Sequence, residues 1–304
     1  LMTVATAPVL TTGDAGTPSR RRPLGLVKYL GLTPFAAYVL IFLAIPTTLA
    51  VLTGFVTEDG QFTWDNVLGL FQPNVLAAFG ASFWVSAVTA VIGAVIGALV
   101  CYAMLGTRAE GALRTMVNSA SSVLAQFGGV MLAFAFIATI GVQGLVTTIL
   151  KNQFGVDIFA NGLWFYQVPG LLLPYVYFQV PLMVITFMPA LEGLKPQWAE
   201  ANATLGGTRL TYWRRIAIPV LAPSFLGSLL LLFANAFSSY ATAAALISQG
   251  SQIVPLQIRG ALVSETVLGR ENMAGALALG MIVVMVVVMT GYSALQTRAS
   301  RWQR

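Results

Sequence analysis

Asn235, Ser238, Ser239 and Thr242 recur at i, i+3, i+4 and i+7 within an otherwise apolar stretch. On a continuous helix this spacing places an amide and several hydroxyls on one face. Such groups exchange hydrogen bonds with a passing polar solute but break no bonds unaided. Tyr175, Gln179 and Thr186 form a second line at i, i+4 and i+11, and Ser119, Ser122 and Gln126 a third. Small polar residues also hold helices together by interhelical hydrogen bonds worth about 0.6 to 2 kcal/mol, so a packing role stands beside the solute-lining one. Bond-making chemistry has few candidates. The 304 residues contain no histidine, which removes imidazole metal sites, Ser-His-Asp triads and histidine proton relays. Cys101 is the only cysteine; it forms no intrachain disulfide or thiolate cluster and reads as a small packing residue.

The elements that must position these groups follow from composition. Apolar residues make up 57% of the chain and charged residues 9%, against about 25% charged in an ordinary soluble domain. The solvent for most of the chain is therefore a bilayer. Six apolar segments, at 32–52, 83–105, 117–140, 168–191, 222–247 and 274–295, each reach the roughly 20 residues a crossing helix requires. The fold class predicted is all-α: a polytopic membrane bundle of six transmembrane helices, 26–304, preceded by a flexible tail over 1–25. Gly93 and Gly97 form a G-x-x-x-G pair that reads as close helix packing. Pro169, Pro174, Pro181 and Pro189 punctuate the fourth span, where kinks are expected.

Charge sets the orientation. With the N-terminus inside, the inner segments collect Arg20, Arg21, Arg22, Lys28, Arg108, Arg114, Lys195, Arg209, Arg214, Arg215, Arg298, Arg301 and Arg304, leaving only Lys151, Arg259 and Arg270 outside. Translocated Lys and Arg are disfavoured, so both termini are expected in the cytoplasm. The net charge of +6 thus reports topology, not a nucleic-acid partner. Ser19-Arg20-Arg21-Arg22 ahead of an apolar stretch has the look of a twin-arginine export signal, but five further spans follow, and an uncleaved first helix is the simpler reading. The outer connections 57–82 and 141–167 are long enough to fold over the bundle mouth. In the second, Trp164, Phe165 and Tyr166 are read as interface anchors.

The segment 192–219 is long, cytoplasmic in this topology and amphipathic. Pro196 suits a first helical turn. Trp198, Ala201 or Asn202, and Leu205 then share a face. Gly206-Gly207 supplies a left-handed stop, and Thr208 caps a second short helix. Tyr212 and Ile216 form the apolar face of that helix until Pro219 interrupts it. The expected shape is a rigid knob beneath the membrane.

These residues carry a resemblance. Glu200-Ala201-Asn202, three residues, Gly206, nine residues, then Ile216-Ala217-Ile218-Pro219 resembles the EAA loop of type I ABC-importer permeases, with Asn202 and Ile218 departing from the pattern. Tyr175-Val176-Tyr177-Phe178-Gln179-Val180-Pro181 and the stretch 233–242 look like the spermidine/putrescine branch. The resemblance implies a permease subunit in the inner (plasma) membrane of a prokaryote. It also implies that 192–219 is a coupling helix docked on an ABC ATPase dimer, with Glu200 making a polar contact, Ala201 permitting close approach and Gly206 forming the bend. Ile216 and Pro219 complete the motif. The implied partners are a second permease, homologous or identical, and an extracytoplasmic substrate-binding protein. The chain itself would bind no cofactor, ATP and Mg residing on the ATPase.

No G-x-x-x-x-G-K-[ST] phosphate loop is present, so an ATP-driven reading takes its energy from a partner. The implied path is lined by Tyr175, Gln179, Asn235, Ser238, Ser239 and Thr242, and the implied solute is a polyamine or another small polar molecule. The alternative is a secondary transporter or channel with no ATPase. Ion-coupled carriers commonly hold a carboxylate or histidine within the membrane, and none falls in the apolar segments. A membrane enzyme ranks third, for want of a catalytic constellation.

Overall fold

The computed structural model describes residues 32–57, 59–107, 111–247, 253–263 and 271–300. The tail at 1–25, Lys28, Arg108, Arg270, Arg301, Arg304, Glu58 and Glu265 lie outside the described residues. The chain divides between Thr48 and Leu49 into two compact units. Helix α1 (Thr33–Thr53) begins in the first, with Pro34 in its opening turn and a widened π turn over Leu40–Ala44.

The second unit is helical. Its long elements are α2 (Pro73–Met104), α3 (Ala112–Gln126), α4 (Gly129–Ile140), α5 (Leu145–Phe154), α6 (Leu172–Glu192), α7 (Pro196–Thr204), α8 (Arg209–Phe237), α9 (Ala241–Leu246), α10 (Val254–Leu262) and α11 (Glu271–Ser300). Among the described residues six helical stretches are long and apolar enough to cross a membrane: Thr33–Thr53, Pro73–Met104, Gly129–Phe154, Val168–Glu192, Arg209–Phe237 and Asn272–Ala294. The all-α, six-span class is therefore met.

At the centre α2, α6 and α8 pack on one another, with α3 against α6, α4 against α9, and α11 against α8 and α10. The G-x-x-x-G pair brings α2 onto α6. A Cβ at Gly93 would lie 2.7 Å from Gln179 Cβ, and one at Gly97 would lie 2.5 Å from Met183 Cβ. Only glycine permits this approach, which brings backbones close where lipid gives no hydrophobic drive to associate. Cys101 is buried between these helices, as expected of a packing residue.

Several boundaries differ from the sequence reading. Helix α2 starts ten residues before the predicted 83, because nothing between Pro73 and Ser82 breaks a helix and Pro73 fits the first turn. Val75, Ala78 and Ser82 on the added turns are buried, and Ser82 Oγ accepts the Val254 N–H at 2.9 Å. The third span is not one helix over 117–140. It breaks at Phe127-Gly128-Gly129, where Gly129 takes φ of +70°, a conformation open to glycine. Its crossing portion is α4 with α5, so part of the predicted outer connection 141–167 is helix.

The fourth span continues as an α-helix through Pro181 and Pro189. Phe165, read as an interface ring, is instead a fully buried core residue packed with Leu171 and Tyr175.

Candidate functional site

The knob between the fourth and fifth spans forms as the residues require. Pro196 opens α7 and Lys195 precedes it in extended conformation. Gly206 ends it with φ of +76°, a left-handed cap that costs a Cβ-bearing residue strain. Gly207 N–H returns to the Asn202 carbonyl at 2.8 Å. Thr208 then caps α8 by accepting the Thr211 N–H.

Asn202, a departure from the EAA pattern, has a structural role of its own. Its side-chain amide donates to the Thr208 carbonyl at 3.2 Å, and the group lies against Gly207. It ties the two arms of the knob across the glycine break.

Two expectations about the knob change. Pro219 does not interrupt the second helix: α8 runs from Arg209 through it into the fifth span. A π turn at Trp213–Ala217 precedes it, with the Ile218 N–H bonded to the Trp213 carbonyl. The widened turn absorbs the proline's missing donor and its ring. The predicted shared face of α7 also divides. Trp198 and Asn202 are half-buried, whereas Ala201 is exposed and Leu205 is 88% exposed. Glu200 is exposed beside them, and Ile216 is half-buried on α8. The outer surface of the knob therefore combines a carboxylate, a small residue and an unburied leucine. Arg114 of α3 pairs with Glu192 at the end of α6, bracing the point where the knob leaves the bundle.

The polar stripe of the fifth span is not one face of one helix. Helix α8 stops at Phe237, and α9 starts at Ala241. Ser238 turns its hydroxyl back onto the Ala234 carbonyl at 2.9 Å, the local competition that ends helices at serine. Two hydrogen bonds cross the bundle at this break. Tyr175 Oη donates to the Ser239 carbonyl at 3.0 Å, and Thr242 Oγ1 accepts the Gly129 N–H at 3.1 Å. The break at 238–240 is thus tied to both the fourth span and the break at 127–129, as helix interruptions at membrane depth require.

Of the residues predicted to line a path, Tyr175, Gln179 and Thr242 are buried, Ser239 is half-buried, and Asn235 and Ser238 are exposed. Gln179 Nε2 donates to Thr89 Oγ1 at 2.9 Å, while its Oε1 is buried with no partner among the described residues. Thr89, Gly93 and Asn202 matter here although the sequence reading assigns them to no site; G-x-x-x-G spacing is the one signal pointing to this contact. The third polar line also shifts: Ser119, Ser122 and Gln126 are exposed, and Ser121 is the buried serine of α3. No cluster of three or more acidic or cysteine side chains suited to a metal occurs among the described residues.

No protein-family model matches the chain. The sulfate transport system permease protein CysT of Salmonella typhimurium is 26% identical over 222 residues, spanning 73% of this chain and 75% of that protein. The spermidine/putrescine transport system permease protein PotB of Haemophilus influenzae is 21% identical over 263 residues, spanning 84% and 89%. In fold, the chain resembles one from a bacterial ABC transporter involved in the import of the acidic polysaccharide alginate. That match has a TM-score of 0.69 over 89% of this chain and 95% of the other, at 17% identity. The relatives are thus transport-system permeases, and their named solutes include an anion and a polyamine.

Proposed function

We propose that this chain is the membrane permease subunit of a type I ATP-driven importer. In this reading it forms half of a solute path in the inner membrane, with both termini cytoplasmic, and takes its energy from a separate ABC ATPase dimer. The observation that carries the proposal is the knob of α7 and the start of α8. A helix, a left-handed glycine and a second helix present Glu200, Ala201 and Leu205 outward, and the second arm runs without interruption into the fifth span. A push on α7 is therefore delivered directly to a membrane helix. The long permease relatives support the same reading.

The exposed Asn235 and Ser238 line the path once a second permease, homologous or identical, closes it. Buried Tyr175, Gln179 and Thr242 hold its wall in shape. An extracytoplasmic binding protein delivers the solute, a small polar molecule for which polyamines are the first class to screen. Of the described outer acids, Asp157 is engaged by Lys151, while Asp59 and Asp65 are exposed, Asp65 accepting from the Thr63 hydroxyl.

The test is reconstitution of the chain with its cognate ATPase and binding protein, scoring solute-stimulated ATP hydrolysis for polyamines, sulfate and sugars. Stimulation by one class, abolished by Glu200→Lys in a protein that still inserts and folds, is the expected result. Solute flux without any ATPase would favour the secondary-transporter reading and defeat this one.

A further inference from the structure

A cavity of about 710 Å³ lies between α2, α6 and α8 near the knob. Its walls are apolar: Ala98 and Leu99 from α2, Phe187 from α6, and Leu221, Ala222 and Phe225 from α8. Its rim is open, with Leu99 at 62% exposure. A second cavity of about 420 Å³ continues it, sharing Leu191 and Trp213 and adding the polar side chains of Arg114, Glu192 and Tyr212. The two together make an apolar slot that runs into a polar mouth. Tyr102 and Trp213 meet edge to face at 5.2 Å beside the slot, the amphipathic pairing expected at the level of lipid headgroups.

Four cations neighbour the mouth along the chain without lining it. Arg209 lies one turn before Trp213, whose N–H bonds to its carbonyl, and Arg214 and Arg215 follow on the π turn. These three arginines and Lys195 are exposed, and none makes an ion pair among the described residues. Of the acids nearby, Glu192 is already neutralised by Arg114, and Glu200 sits out on α7. A ligand fitting this site has a long apolar body and an anionic head.

We propose that the slot is a binding site for an anionic phospholipid of the adjacent leaflet, with one acyl chain between α2, α6 and α8 and the phosphate on Arg209, Arg214 and Arg215. Basic pockets between spans on the cytoplasmic side are the physical setting for such recognition. The headgroup would rest on the π turn that joins the knob to the fifth span. Occupancy thus stiffens the element through which a push on α7 reaches the membrane, making the lipid a regulator of coupling. The regulatory role rests on the function proposed above; the existence of the site does not.

The test is native mass spectrometry of the delipidated full chain, titrated with phosphatidylglycerol or phosphatidylcholine of matched chain length. Wild type should bind one phosphatidylglycerol in preference to phosphatidylcholine. Each of Arg209→Ala, Arg214→Ala and Arg215→Ala should weaken phosphatidylglycerol by about fivefold, the effect of one surface cation on an anionic lipid, and leave phosphatidylcholine unchanged. Ala222→Phe, or Ala98→Leu on the opposite wall should the first fail to fold, fills the slot and should weaken both lipids with every arginine in place. Equal retention of the two lipids by wild type, or unaltered phosphatidylglycerol binding in the arginine and slot-filling variants, overturns the proposal. So does an assembled complex in which a helix of the second permease fills the slot. If phosphatidylglycerol binds as expected but leaves solute-stimulated ATP hydrolysis unchanged, the regulatory role is overturned and the site stands.

Discussion

The Asn202 side chain donates to the Thr208 carbonyl at 3.2 Å, joining two residues on either side of a left-handed glycine. The bond fixes the angle between the short helix that meets the outside of the bundle and the long helix that enters it. Asn202→Ala should cost about 0.5 to 1.5 kcal/mol, the range for one intramolecular hydrogen bond. It should lower solute-stimulated ATP hydrolysis more than it lowers the melting temperature, because the staple orders the knob and not the core. Parallel ATPase and melting assays on the reconstituted variant decide this.

Gly206→Ala tests the same bend through the backbone. The position has φ of +76°, and the space where a methyl group would stand is open. Conformational strain and not a clash is therefore the cost, about 1 kcal/mol. The expected outcome is reduced coupling in a protein that inserts normally; wild-type ATPase stimulation would count against a rigid bend.

Helix packing makes a separate prediction. Gly97→Ala puts a Cβ 2.5 Å from Met183 Cβ and 2.9 Å from the Val180 carbonyl, an overpacking expected to destabilise by about 1 to 3 kcal/mol. Gly291→Ala, with open space around it, should be neutral or slightly stabilising by helix propensity. Thermal unfolding of the two variants in the same detergent separates them.

Spans and knob are legible in the sequence because they rest on strong local patterns. Long apolar runs need no tertiary context to become membrane helices, and Pro196, Gly206 and Thr208 carry their own cap chemistry. The interruptions are not legible. Gly128-Gly129 and Ser238-Ser239 sit inside apolar runs whose average hydropathy hides them. At each break a bond arrives from far along the chain, Thr242 accepting from Gly129 and Tyr175 donating to Ser239. The stripe at Asn235, Ser238, Ser239 and Thr242 is therefore divided by the break after Phe237 and is not one helical face. Spacing alone puts Leu205 on a packed face, and nothing local distinguishes that from the exposed position it occupies.

Those cross-bundle bonds are testable in turn. Thr242→Val keeps the shape and removes the acceptor of the Gly129 N–H, and Tyr175→Phe removes the donor to the Ser239 carbonyl. Each leaves a backbone group unpaired, at a cost of about 1 to 3 kcal/mol. The double variant should deviate from additivity if the two bonds stabilise one shared arrangement of the breaks. A double-mutant cycle in thermal unfolding measures that coupling.

One outer connection has a pH signature. The Lys151 ammonium, 2.8 Å away, and then the Phe159 N–H hold the Asp157 carboxyl below its ordinary range. A carboxyl whose pKa is lowered on folding stabilises the fold above its ordinary pKa and loses that contribution as pH falls through the lowered value. The melting-temperature difference between wild type and Asp157→Asn should therefore shrink on acidification from neutral pH. A constant or growing difference would mean that the Lys151 pair contributes nothing to the fold.

The docking of the knob on the ATPase is tested most directly by proximity cross-linking in the assembled transporter. In a Cys101→Ala background, Glu200→Cys carries a thiol-linked photoreactive group on the exposed face of α7, and Val142→Cys carries one at the turn between α4 and α5. The prediction is a cross-link from position 200 to the ATPase and none from position 142. An assembly competent for solute-stimulated hydrolysis that gives no ATPase cross-link from position 200, or equal yields from both positions, would contradict it.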